Sequence, residues 1–84
     1  MQHNLKTWPA QFHDVKYGLK RFEIRKNDRD YQVGNLLLLQ ELNPDTRIYS
    51  GDECLVVVDY VMTEFPCHAV LDGFAVMSIG KVGK

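Results

Sequence analysis

The stretch Gly18-Leu19-Lys20-Arg21-Phe22-Glu23-Ile24-Arg25 organises the rest of this 84-residue chain. Alternate side chains of a strand point to opposite faces, so the charged residues share one face: Arg21, Glu23 and Arg25. At strand spacing each lies about 7 Å from the next, and together they form a preset charge cluster, with Lys20 just before it. The apolar Phe22 and Ile24 share the other face, which we expect to pack.

The residues before this stretch predict a short strand at 2–8 and then a helix. A cap at Thr7 or Trp8 followed by Pro9 is typical of a helix start, and Gly18 is well placed to end the helix. Apolar residues recur at helical spacing: Trp8, Phe12, Val15 and Leu19. Aromatic residues at this spacing usually pack, so we interpret Trp8 and Phe12 as core residues.

The residues after the stretch predict a meander of short strands. Turn formers at 26–30 and 31–35 carry the chain away from the charged strand. Strands are predicted at 36–42, 47–50, 53–64 and 74–82, with turns at 43–46 and 51–52 and a loop at 65–73. The fold class is therefore mainly β (α+β): a small, mostly antiparallel, closed or nearly closed β-barrel of five or six strands with one flanking α-helix.

Composition and charge limit the classes of function. Residues 1–84 are enough for one small domain, and no apolar run is long enough to span a bilayer. The net charge is −1, but residues 1–29 carry +4 and residues 30–84 carry −5. We expect anions to bind at the basic end. We expect Cys54 and Cys67 to be reduced thiols and the protein to be soluble and cytoplasmic.

The motif Gly18-x-Lys20-x-x-Glu23-x-Arg25 resembles the G-x-K-x-x-E-x-R signature of ASCH domains, a branch of the PUA-like superfamily. The wider frame, from His3 to about Ile79, is similar to a small bacterial and phage family of unknown function in that superfamily. The resemblance implies a PUA-like β-barrel with a cleft beside the helix. It also implies binding of RNA, of a nucleotide or of a modified nucleoside.

In that family picture Lys20, Glu23 and Arg25 line the cleft, with Lys6 and the turn Asn27-Asp28-Arg29 near its rim. The chemistry of the residues agrees, because lysine and arginine suit phosphate, and a carboxylate can hold the arginine or accept a proton from a base edge or ribose hydroxyl. Trp8 and Tyr31 are the available stacking surfaces. The alternative for the charged residues is a solvated strand face with weak ion pairs, and for residues 27–29 ordinary turn chemistry.

A hydrolase is the second hypothesis, with Lys20 and Glu23 as the proton-transfer pair acting on a modified nucleoside or on RNA. Related bacterial amidohydrolases carry a threonine nucleophile where this chain has Glu23, so their acyl-transfer mechanism does not carry over. A protein-interaction module is the third hypothesis, because the acidic second part would repel nucleic acid. The histidines at 3, 13 and 68 lack ligand spacing, so we expect no metal and no cofactor.

Overall fold

The computed structural model describes residues 1–65 and 72–82. Its elements are β1 (Gln2–Thr7), α1 (Pro9–Lys16), β2 (Phe22–Lys26), β3 (Leu36–Leu42), β4 (Tyr49–Met62) and β5 (Phe74–Lys81). The strands form one sheet in the order β1-β3-β4-β5-β2, in which β1 and β3 are parallel and the other neighbours are antiparallel. The sheet curls into a half-barrel, which confirms the predicted mainly β fold with one helix.

The core lies between α1 and one face of the sheet, which we call the inner face. Phe12 and Val15 of α1 belong to the same buried cluster as the inward side chains of the strands. The alternation in the last strand predicts that Ala75, Met77 and Ile79 share one face, and all three are buried on the inner face. Polar contacts hold the helix in place as well: His13 Nε2 lies 3.0 Å from a carboxylate oxygen of Glu41 on β3.

The ends of α1 follow from local chemistry. Trp8 is the N-cap, Pro9 takes the first helical position, and Gly18 has φ +80°, which lets the amide of Leu19 donate to the carbonyl of Asp14. The prediction that Gly18 ends the helix is confirmed. The prediction of Trp8 and Leu19 as members of the packed face is wrong: both are exposed, because they lie just outside the helical turns.

Strand β2 has its faces the opposite way round from the prediction. The side chains of Phe22 and Ile24 are 46% and 40% exposed, whereas that of Glu23 is 2% exposed. The reason is the register with β5, in which Glu23 pairs with Met77, whose side chain lies in the core. Arg21 precedes the strand and is exposed, so the charge cluster consists of Lys20, Glu23 and Arg25.

Strand β4 joins two elements that the sequence predicts separately. The expected turn at Gly51-Asp52 is an irregularity within one strand, where the pairing with β3 shifts between Gln40 and Leu42. A second irregularity at Asp59 shifts the pairing with β5. The alternation of the 53–64 run predicts that Tyr60 and Met62 share a face with Val58. This prediction is wrong: both are exposed, whereas Val58 is buried.

The predicted loop at 65–73 falls largely outside the described residues, as do the expectations for Cys67 and His68. Within residues 1–65 and 72–82, α1 is the only helix, and with eight residues it is too short to cross a membrane.

Candidate functional site

Glu23 is a buried carboxylate with both oxygens paired. Oε2 lies 3.2 Å from Nζ of Lys20, and Oε1 accepts a hydrogen bond of 3.0 Å from Nε of Arg25. A buried carboxylate is strongly unfavourable unless it is paired and hydrogen-bonded, so these two cations are required by its position. The three side chains together carry a charge of +1.

Arg25 extends this cluster across the open side of the half-barrel. β1 and β2 are the two edge strands of the sheet. Arg25 uses its other two nitrogens on β1, where Nη1 donates to the carbonyl of Lys6 at 2.9 Å and Nη2 to the hydroxyl of Thr7 at 3.1 Å. Arg29 makes a parallel contact with the carbonyl of Asn4 at 3.0 Å. Arginine side chains thus bridge the gap between the edges, which we call the seam.

Lys20 is placed by the end of α1. Its backbone amide donates to the carbonyl of Asp14 at 2.9 Å, which fixes the residue after the turn at Gly18. Its Nζ also lies 5.1 Å from the ring centroid of Phe22, within reach of a cation–π attraction. An ammonium group has three donors, and the contact with Glu23 uses one of them. Lys20 therefore keeps donors for a ligand.

These residues line a cleft of about 380 Å³ at the end of the seam where β1 leads into α1. We call it the Glu23 cleft. Its lining residues are Lys6, Thr7, Trp8, Gln11, Lys20, Phe22, Glu23, Ile24 and Arg25. The volume is within the range of small-molecule sites. Lys6, Lys20 and Arg25 against Glu23 give the lining a net charge of +2, which favours an anionic ligand.

Five of the predicted site residues meet in this cleft: Lys6, Trp8, Lys20, Glu23 and Arg25. Trp8 is 61% exposed and can offer its ring to a ligand. Four lining residues were not predicted: Thr7, Gln11, Phe22 and Ile24. Gln11 could have been found, because it follows Trp8 by three residues at the start of a predicted helix and so lies on the same side.

The other predicted residues lie elsewhere. Tyr31 is 5% exposed and packs edge-to-face on His3, with ring centroids 5.0 Å apart, so its prediction as a stacking surface is wrong. Burial raises the pKa of its phenol above the usual value of 10.0. Asp28 and Arg29 border a separate cleft of about 170 Å³, which Arg25 and Tyr31 also line, and Asn27 lines neither cleft. The part of the chain that the structure describes contains no cluster of three or more metal-ligating side chains.

Comparison with known proteins places the chain in a family. Residues 2–79 match the family profile described as Domain of unknown function (DUF3850). No curated protein matches the chain. The matched range includes every residue of the Glu23 cleft and all of β1 to β4. The chain therefore belongs to the family of the Domain of unknown function DUF3850.

Proposed function

We propose that the protein binds a nucleotide, or a short single-stranded RNA, in the Glu23 cleft. The observation that carries the proposal is the pairing of an exposed tryptophan ring with a net positive lining in one cleft. A nucleotide joins a flat aromatic base to an anionic phosphate, and stacking plus charge is how proteins hold single-stranded nucleic acid. The resemblance of the Gly18-to-Arg25 motif to the ASCH signature supports the same ligand class.

The contacts of each residue suggest a division of roles. Lys20 meets the phosphate, because it retains ammonium donors beside the cleft. Arg25 uses one N–H of each guanidinium nitrogen on Glu23 and β1, which fixes it between the cleft walls, where it adds positive charge. Trp8 stacks on the base, and Lys6, which is exposed at the rim, attracts the phosphate.

Binding is favoured over hydrolysis by the state of Glu23. A general base must have an oxygen within hydrogen-bond reach of the proton that it abstracts. Both oxygens of Glu23 are already paired, and the side chain is almost wholly buried. The hydrolase hypothesis keeps one supporting observation, the contact of 3.2 Å between Lys20 and Glu23 in the cleft wall.

Trp8 makes the proposal directly testable, because it is the single tryptophan of the chain. A base stacked on its ring changes the tryptophan emission, so titration with the four ribonucleoside monophosphates reports occupancy of this cleft. We expect saturable quenching that weakens with salt. The expected salt slope is small, about −0.7 per phosphate contact on a single strand.

Variants distinguish binding at the Glu23 cleft from nonspecific attraction of the nucleotide to positive charge. Lys20→Ala should abolish the quenching and Lys6→Ala should weaken it. Lys6→Ala leaves the side-chain partners of Glu23 in place, so it guards against a folding artefact. Lys26→Ala is the matched control, since Lys26 is a cation on the same strand β2 that does not line the cleft. Equal quenching of all three variants, or none in the parent protein at low salt, would contradict the proposal.

A further inference from the structure

A second, larger cleft adjoins the Glu23 cleft at Lys20. It measures about 660 Å³ and lies between the end of α1, the segment before β2, and the last residues of β5 with the part of β4 that pairs with them. We call it the Tyr17 cleft, after the aromatic residue that lines it. Its polar and aromatic lining consists of Tyr17, Lys20, Arg21, Asp59, Ser78 and Lys81. Among the described residues, Lys20 alone lines both clefts.

The lining of the Tyr17 cleft resembles that of the Glu23 cleft in chemistry. Lys20, Arg21 and Lys81 against Asp59 give it a net charge of +2. The ring of Tyr17 is 72% exposed. The floor is apolar, since it is made by the core residues Val15, Val56 and Ile79. An aromatic ring, an apolar floor and cations are again what a base with its phosphate requires.

Asp59 is directed at this cleft by an irregular piece of backbone. It is the extra residue of β4 where the pairing with β5 shifts, and such bulges re-aim side chains. Its carboxylate lies over Gly80, where a Cβ atom would stand 2.7 Å from Oδ2. The missing side chain at Gly80 therefore makes room for Asp59. A carboxylate in this place can accept hydrogen bonds from the amino or imino groups of a base.

From the shared lysine we propose that the two clefts form one site for a dinucleotide, with the linking phosphate at Lys20 and one base in each cleft. This inference rests on the proposed function. Trp8 and Tyr17 cap the two ends of α1, so their Cα atoms are separated by about 13 Å along the helix axis. A single nucleotide does not span that distance, whereas two bases splayed apart on either side of a phosphate do.

Two kinds of ligand share this chemistry: a 3′–5′ linked dinucleotide unit of single-stranded RNA and a pyrophosphate-linked dinucleotide. The test compares three sets of probes by calorimetry. These are the ribonucleoside monophosphates, the dinucleotides ApA, CpC, GpG and UpU with a 5′-phosphate, and diadenosine diphosphate. We expect at least one linked dinucleotide to bind about tenfold more tightly than its monophosphate, the gain of one further stacked base. Whether the 3′–5′ linked or the pyrophosphate-linked dinucleotide binds more tightly than its monophosphate identifies the kind of ligand.

Variants of the Tyr17 cleft test whether the additional affinity for the dinucleotide arises in this cleft. Tyr17→Ala and Arg21→Ala should reduce the affinity for the dinucleotide to that of the monophosphate and leave the quenching of Trp8 by the monophosphates unchanged. Both side chains are exposed, so the variants should fold, and Lys26→Ala serves again as the charge control.

The outcomes distinguish this inference from the proposed function. Equal affinity for monophosphates and dinucleotides would overturn the inference and leave the single-nucleotide site intact. If the dinucleotide still bound more tightly than the monophosphate in both variants, the inference would also be overturned, because the second base would then lie elsewhere. No binding of any probe would overturn both proposals.

Discussion

Arg25 on β2 donates from Nη2 to the hydroxyl of Thr7 at the end of β1, over 3.1 Å, and so joins the two edge strands of the sheet. The same guanidinium holds the buried carboxylate of Glu23 through Nε. An edge strand normally presents unpaired backbone groups. Here a side chain satisfies the carbonyl of Lys6, and the residue that does so also forms the cleft wall.

The first prediction follows from the shape of this guanidinium. Arg25→Lys keeps the charge but cannot reach Glu23, Lys6 and Thr7 at once, because an ammonium group is a single point of charge. We expect the free energy of unfolding to fall by about 2–3 kcal/mol, the value of lost hydrogen bonds to a charged group. Urea denaturation measures the change. Arg21→Lys is the control, and its exposed side chain should cost under about 0.5 kcal/mol. Equal losses in the two variants would show that the seam contacts contribute nothing.

The second prediction concerns the pairing of Glu23. Removing one partner of a buried ion pair leaves an uncompensated charge, so Glu23→Ala should lower the free energy of unfolding by about 3–5 kcal/mol. Glu64→Ala, at an exposed carboxylate, should change it by less than about 0.5 kcal/mol. The decisive measurement is a double-mutant cycle with Lys20→Met. Lys20→Met should cost less in the Glu23→Ala background than in the parent, by about 0.5–3 kcal/mol. Additive effects would argue against the pair.

Local patterns were enough to predict most of the elements. The apolar run Leu36–Leu42 is a strand with the predicted bounds, and the alternation at Ala75, Met77 and Ile79 correctly places these three side chains on one face. The faces of β2 could not be read in this way. Its alternation is clear, but which side turns inward depends on pairing with β5, about fifty residues later in the chain, and on Lys20 and Arg25 compensating the buried Glu23.

The candidate site was predictable to the extent that it is local in sequence. Lys20, Glu23 and Arg25 were found because they belong to one short motif, and they do line one cleft. The irregularity at Asp59 and its approach to Gly80 left no sequence signal, because both depend on the register between β4 and β5. Tyr31 was misjudged for a related reason: it belongs to the buried cluster and packs on His3, which lies on a strand that is distant in the chain.

The third prediction contrasts two aromatic residues of the expected helical face. Phe12 is fully buried, so Phe12→Ala should lower the free energy of unfolding by about 3–5 kcal/mol. Trp8 is mostly exposed, and Trp8→Ala should cost under about 1 kcal/mol. Its effect should fall on ligand binding instead, with a loss of about 1–3 kcal/mol for the stacked base. Thermal or urea unfolding and calorimetric binding measure the two effects. A large loss of stability in Trp8→Ala would contradict this prediction and show that Trp8 packs as a core residue.

The pH dependence at the alkaline end should reflect Tyr31. Burial is the largest cause of its raised pKa, and the nearby cations Arg29 and Arg25 act in the opposite direction. The phenol is neutral when protonated, so a higher pKa in the folded state means that folding favours the protonated form. Between the unfolded and folded pKa values, the folded state binds more protons. Stability is therefore fully present below the unfolded pKa, near 10, and falls as the pH rises above it.

The fourth prediction is that Tyr31→Phe removes part of this alkaline loss. We expect the parent and the variant to differ in the slope of unfolding free energy against pH only above about pH 10, where an unfolded tyrosine ionises. Urea midpoints measured from about pH 8 to about pH 11 give the slope. Tyr17→Phe, at an exposed ring, is the matched control and should follow the parent. If Tyr31→Phe kept the full slope of the parent, the phenol of Tyr31 would be as free to ionise in the folded protein as in the unfolded chain.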